Sequence, residues 1–192
     1  MKKILLSAMI LMCCACLAFA QPPGSVGVYA DSAGWSHLLY DATGEDFQDM
    51  WFYFIHVNDV AATAVEFSFD TSNLTYHTDL GDVCPWALRI GDFKNGISIS
   101  YGSCQFPTPG YGVYLGKTGL RHGKNFQHYC AYACVKNNPI PGIPGATTPL
   151  GAGCSGTWLV LRGSYIIVSH DFANCGSSIE ASSWGRIKAL YE

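Results

Sequence analysis

The chain is poor in charge. Asp, Glu, Lys and Arg make up 13% of its 192 residues, and the basic ones form no stripe. That excludes recognition of a nucleic-acid backbone, which needs several Lys or Arg on one surface. Long apolar runs are absent after residue 20, so no later stretch can span a bilayer as a helix. The 3.6-residue apolar period of an amphipathic helix is almost missing, which excludes a helical bundle. Beyond residue 20 there is no Cys-x2-Cys pair, and with it go the usual redox centre and the paired-cysteine zinc site. Gly153-Cys154-Ser155-Gly156 lacks the last glycine of Gly-x-Ser-x-Gly, because Thr157 stands there. No internal repeat marks a solenoid.

What is present sorts first by cysteine. Cys13, Cys14 and Cys16 lie in an apolar N-terminal segment that opens on Lys2-Lys3 and ends Leu17-Ala18-Phe19-Ala20. Residues 1–20 read as a signal peptide with a small-x-small cleavage site before Gln21. Cys16 follows Ala15, but Cys13 stands where a lipidation signal wants an aliphatic residue. The expected mature chain, 21–192, is one β-sandwich domain of 172 residues, large enough for an apolar core. Without Lys2 and Lys3 it keeps nine basic and fourteen acidic residues, a formal charge of −5. It also keeps six cysteines: Cys84, Cys104, Cys130, Cys134, Cys154 and Cys175. An even number in an exported chain points to disulfides. Six allow fifteen pairings, of which the simplest is sequential: Cys84–Cys104, Cys130–Cys134 and Cys154–Cys175.

The expected fold class is all-β: an antiparallel two-sheet sandwich, disulfide-stabilised, with a short C-terminal helix. Residues 50–57 give the strongest strand signal. Trp51, Tyr53, Ile55 and Val57 point one way and Phe52, Phe54 and His56 the other, so this strand is central. Further strands are expected over 26–30, 64–69, 74–77, 97–101 and 111–115. Residues 158–161 and 165–168 flank Arg162-Gly163-Ser164 and read as a hairpin. Residues 137–153 hold four prolines and read as a surface loop pinned by Cys134 and Cys154. Ser182 or Ser183 can cap a two-turn helix carrying Trp184, Ile187, Lys188 and Tyr191 on one side.

The sites on offer are few. No cofactor is indicated; Asp41, Glu45, Asp46 and Asp49 could gather a calcium ion, but their spacing is not that of an EF-hand and they read first as a solvated loop or helix face. His122, His128, Cys130 and Cys134 have spacing a metal tolerates, but export favours disulfides. Ser155 reads as part of a tight turn, His56 as a satisfied histidine at a strand rim, and His170-Asp171 as a surface pair. Trp35, Trp86, Tyr111 and Tyr114 lie outside the strongest strand and are candidates for stacking on a sugar.

Residues 26–31, Val-Gly-Val-Tyr-Ala-Asp, and 184–191, Trp-Gly-Arg-Ile-Lys-Ala-Leu-Tyr, resemble the two ends of a poorly characterised group of bacterial secreted proteins. The resemblance spans most of the mature chain. It implies an exported all-β protein with a β-sandwich body and assigns no activity. The resulting expectation is an extracellular structural or interaction protein at a cell surface, as an adhesion or filament component. Its partner is a protein or a surface glycan, self-association is in keeping with it, and nucleic acid is not. A carbohydrate-binding module comes second and a secreted hydrolase third.

Overall fold

The computed structural model describes residues 24–41, 47–57, 60–74, 77–106, 112–123 and 127–175. Two sheets face each other across an aromatic core. The first sheet runs β12 (Arg162–Gly163), β1 (Ser25–Tyr29), β3 (Gln48–Val57), β8 (Val113–His122), β5 (His77–Val83). In the second, β4 (Ala62–Asp70) is the hub. It pairs with β7 (Gly96–Gln105), β10 (Leu150–Gly153) and β9 (Ala131–Lys136). Outside these lie β6 (Leu88–Asp92) on β7, β11 (Trp158–Val160) on β10, and β13 (Tyr165–Ser169) on β9. The strand β2 (Leu38–Tyr40) completes the edge beyond β13.

Alternation explains the core. Val65, Phe67 and Phe69 of β4 and Phe52 and Phe54 of β3 point between the sheets and are buried. Phe93, in the turn between β6 and β7, stacks on Phe54 at 4.4 Å between ring centres. Phe54 also meets Phe69 edge-on at 5.0 Å. Such offset and edge-to-face rings pack densely and add to burial alone. As expected, β3 is central, lying between β1 and β8. On its outer side the Trp51 ring is half-buried, with the Lys117 ammonium 4.0 Å from its centre.

Several expectations are corrected. The described residues contain no α-helix; one 3-10 turn spans Phe172–Asn174. The fold class is therefore an all-β, disulfide-stabilised sandwich without the helix, and segment 182–191 lies outside the described residues. Residues 158–168 are not a hairpin: β11 pairs with β10, β13 pairs with β9, and β12 between them runs parallel to β1 of the other sheet. Gly163 serves close approach there, since a Cβ would stand 2.1 Å from the Val135 carbonyl oxygen. The proline-rich loop ends at residue 149, because 150–153 pair with β4 as β10. The bridges are Cys104–Cys154 and Cys130–Cys175, so the sequential pairing is wrong. Cys84 and Cys134 are free thiols, and Cys134 pins nothing.

Candidate functional site

Strand register aligns side chains across the outer face of the second sheet. Leu88 and Ile90 of β6 stand opposite Ser100 and Ser98 of β7. Those serines stand opposite Ala64 and Glu66 of β4, which in turn face Ala152 and Leu150 of β10. The rows end at Trp158 and Val160 of β11. Opposite residues in an antiparallel pair share a face, so all ten lie outside. Four of the six central residues, Ser98, Ser100, Ala64 and Ala152, are small, the other two are Glu66 and Leu150, and the two rims are apolar.

Loop 137–149 lies over part of this face. The Gly142 amide donates to Glu66 Oε1 at 2.7 Å, and Ser98 Oγ donates to Glu66 Oε2 at 3.4 Å. Ser68 Oγ donates to the Asn137 carbonyl at 2.7 Å. Glu66 and Ser68 face outward yet are buried, because the loop covers them. Gly142 sits against the Trp158 ring. Around this covered patch Leu88, Ile90, Ile140, Trp158 and Val160 remain between 51% and 86% exposed. Leu88 with Ile90 and Trp158 with Val160 form two exposed apolar groups at opposite edges of one face, with the loop between them.

The aromatic candidates separate. Trp86 is half-buried, donates its indole N–H to the Tyr114 carbonyl at 3.0 Å and packs against Tyr101. Tyr114 is also half-buried. Trp35 is 85% exposed, in a turn where Asp31 accepts from the amides of Ala33, Trp35 and Ser36. Tyr111 lies outside the described residues.

The acidic candidates have other partners. Asp49 forms a forked ion pair with Arg121, whose hydrogen bond draws the carboxyl below its usual range. Asp41 is buried and holds two histidines: Oδ1 lies 2.6 Å from His122 Nε2 and Oδ2 lies 2.9 Å from His128 Nδ1. The His128 amide also donates to Oδ2 at 2.5 Å. Burial opposes ionisation of Asp41, but the His128 hydrogen bonds and the facing imidazoles outweigh it and lower its pKa. Glu45 and Asp46 lie outside the described residues. Among the described residues no group of three or more His, Cys, Asp or Glu side chains is arranged to hold a metal ion.

The hydrolase candidates do not assemble. Ser155 Oγ bonds to Thr157 Oγ1, and His170 Nδ1 bonds to the His128 carbonyl. Asp171 caps the 3-10 turn through the Ala173 amide. His56 is not at a rim: it is fully buried, with Nδ1 2.6 Å from the Tyr101 hydroxyl. Burial pushes its pKa down to about 4. A cleft of about 380 Å³ at the end of β4 contains Lys94 and Lys136, but each already pairs with a carboxylate, Asp79 and Asp70.

No protein-family model matches the chain, and no curated protein matches it. Solved structures do. It is similar to a cohesin module from a Clostridium perfringens ATCC13124 family 33 glycoside hydrolase, with a TM-score of 0.42 and 11% identity, over 78% of this chain and 97% of that one. It is also similar to a chain of the CaDoc0917–CaCohA2 complex, with a TM-score of 0.39 and 11% identity, over 77% and 99%. These likenesses assign no residue a role. No helix of the described residues is long and apolar enough to cross a membrane.

The strands β2, β6, β9 and all of β5 after His77 fall outside the expected ranges, although Leu88 and Ile90 of β6 alternate around Arg89. The Asp41–His122–His128 cluster had no local signal, since Asp41 and His128 stand 87 residues apart.

Proposed function

We propose that the chain is a secreted, non-catalytic interaction module, one domain over 21–192, that binds a protein partner at a cell surface. The outer face of β6, β7, β4, β10 and β11 is its contact surface. The observation carrying this reading is the register that lines up Leu88, Ile90, Trp158 and Val160 on one face. Loop 137–149 fills part of the centre, and the apolar residues at the two rims supply the burial that drives association. Glu66 already lies under the loop with both carboxylate oxygens accepting hydrogen bonds, so a partner meets the loop before it meets the carboxylate.

The test compares retention of the purified mature protein on cells of its native host with that of Ile90→Asp and Val160→Asp. Both positions are exposed, so each variant should keep its midpoint of thermal unfolding within a few degrees. Retention should fall at least tenfold in each. Unchanged retention in both folded variants would reject this face.

Glycan binding is the second reading, and Trp35 favours it. Its ring is exposed on a turn that the Asp31 carboxylate organises. A glycan array should then show retention that Trp35→Ala removes.

A further inference from the structure

A β-sandwich has strand edges, and an open edge is a template for another strand. In this molecule most edges are blunted. The strands β2 and β11 have three residues each, and β12 has two. The edge strand β5 carries Asp79 and Asp82 and shifts register between Asp79 and Gly81, which interrupts the ladder. The longest edge strand of the second sheet is β6. It runs five residues, extended over 88–90 before Gly91 turns to φ 88°, pairs only with β7 among the described residues, and exposes Leu88, Arg89, Ile90 and Gly91. Alternate residues of an antiparallel strand turn their N–H and C=O away from the partner, so the far side of β6 presents unpaired main-chain groups.

The side chains of this edge say what it fits. Leu88 and Ile90 extend the apolar outer face. Arg89 points to the other side, opposite Ile99, and among the described residues no carboxylate lies within ion-pair distance of it. A guanidinium keeps its charge at any ordinary pH. A strand added beyond β6 places one of its own side chains beside Arg89 on that same face.

We propose that the β6 edge docks an extended segment of the partner protein as one further strand, with apolar side chains beside Leu88 and Ile90 and an acidic side chain beside Arg89. Main-chain hydrogen bonds hold the segment, and the alternation of apolar and acidic positions selects it. A second copy is the poorer occupant, because the pairing that sets Leu88 against Ile90 also sets Arg89 against Arg89. The inference rests on the outer-face reading and adds the mode of binding.

The test uses the full mature protein and two labelled nine-residue peptides of alternating Val and Thr, one with Glu and one with Lys at the central Thr position. Binding is followed by fluorescence anisotropy, and the site by amide shifts of residues 88–92. The Glu peptide should bind at least tenfold more tightly than the Lys peptide, with shifts confined to β6 and its neighbours. Arg89→Glu, an exposed substitution that leaves the core intact, should reverse the preference. Equal affinities, no binding at millimolar peptide, or a preference untouched by Arg89→Glu would overturn the proposal. So would a dimer in sedimentation that occludes residues 88–92 and excludes both peptides. If Val160→Asp abolishes cell retention while Arg89→Glu changes neither retention nor peptide binding, the outer face stands and the edge proposal falls. If Val160→Asp and Ile90→Asp leave retention unchanged while the peptide preference holds, the face reading falls alone.

Discussion

Two buried side chains tie stability to pH. His56 lies between the sheets, so its charged form is disfavoured and its pKa drops to about 4. In the unfolded chain a histidine titrates near 6.5. Between those values the unfolded state takes up a proton that the folded state refuses. Stability is therefore whole above about pH 6.5 and falls by about 3 kcal/mol as the pH drops to about 4. His56→Gln should flatten that part of a plot of denaturant midpoint against pH. An unchanged slope would count against the assignment. Asp41 has the same sign by another route. Its lowered pKa means that stability present above the usual carboxylate value is lost as the pH falls through the folded one. Asp41→Ala removes the hydrogen-bond acceptor of buried His128 and the carboxylate facing His122, and should destabilise by about 3 kcal/mol or more, measured at pH 7 by urea unfolding.

Among the elements, the segment β11–β12–β13 best shows how context overrides local pattern. Arg162-Gly163-Ser164 between two apolar runs is a fair turn signal, yet β12 crosses to pair with β1. The glycine is needed because the chain passes hard against Val135. Gly163→Val should destabilise by about 2–3 kcal/mol through overpacking, while Gly156→Ala, where a Cβ meets open space, brings only backbone strain at φ 80°. Thermal unfolding of the two variants compares them directly. A true hairpin turn would tolerate the larger residue at 163. Loop 137–149 makes a similar point. Its prolines correctly exclude it from the sheet, but nothing in its composition marks the surface it covers. Glu66→Ala should free the Gly142 amide and raise hydrogen exchange at Ile140, Gly142 and Ile143.

For the molecule as a whole, the bridges decide resistance to unfolding. Cys104–Cys154 and Cys130–Cys175 close loops of 50 and 45 residues. By the chain-entropy relation each contributes about 4 kcal/mol. Reduction should lower the unfolding midpoint strongly. Thiol titration of denatured, unreduced protein spanning residues 21–192 should find two free groups, Cys84 and Cys134. Burial holds the Cys134 thiol above its usual pKa, so it should react slowly while the protein is folded. Finding no free thiol would mean a third bridge and a rearranged second sheet.

Much of the architecture could be read along the chain, because alternation is local: Phe52 and Phe54, or Val65, Phe67 and Phe69, declare their shared side within a few residues. The same holds for the absence of helical period and of catalytic spacing. Pairing is not local. Which cysteines bond, which strand β12 joins, and how Leu88 comes to share a surface with Val160 all depend on register between segments far apart in sequence. Asp41 shows the limit most plainly, since its oxygens suit calcium on paper and meet two imidazoles in the fold. Short-range sterics and hydrophobic alternation determined that this polypeptide forms strands; only tertiary packing decided which faces were covered and which were left exposed.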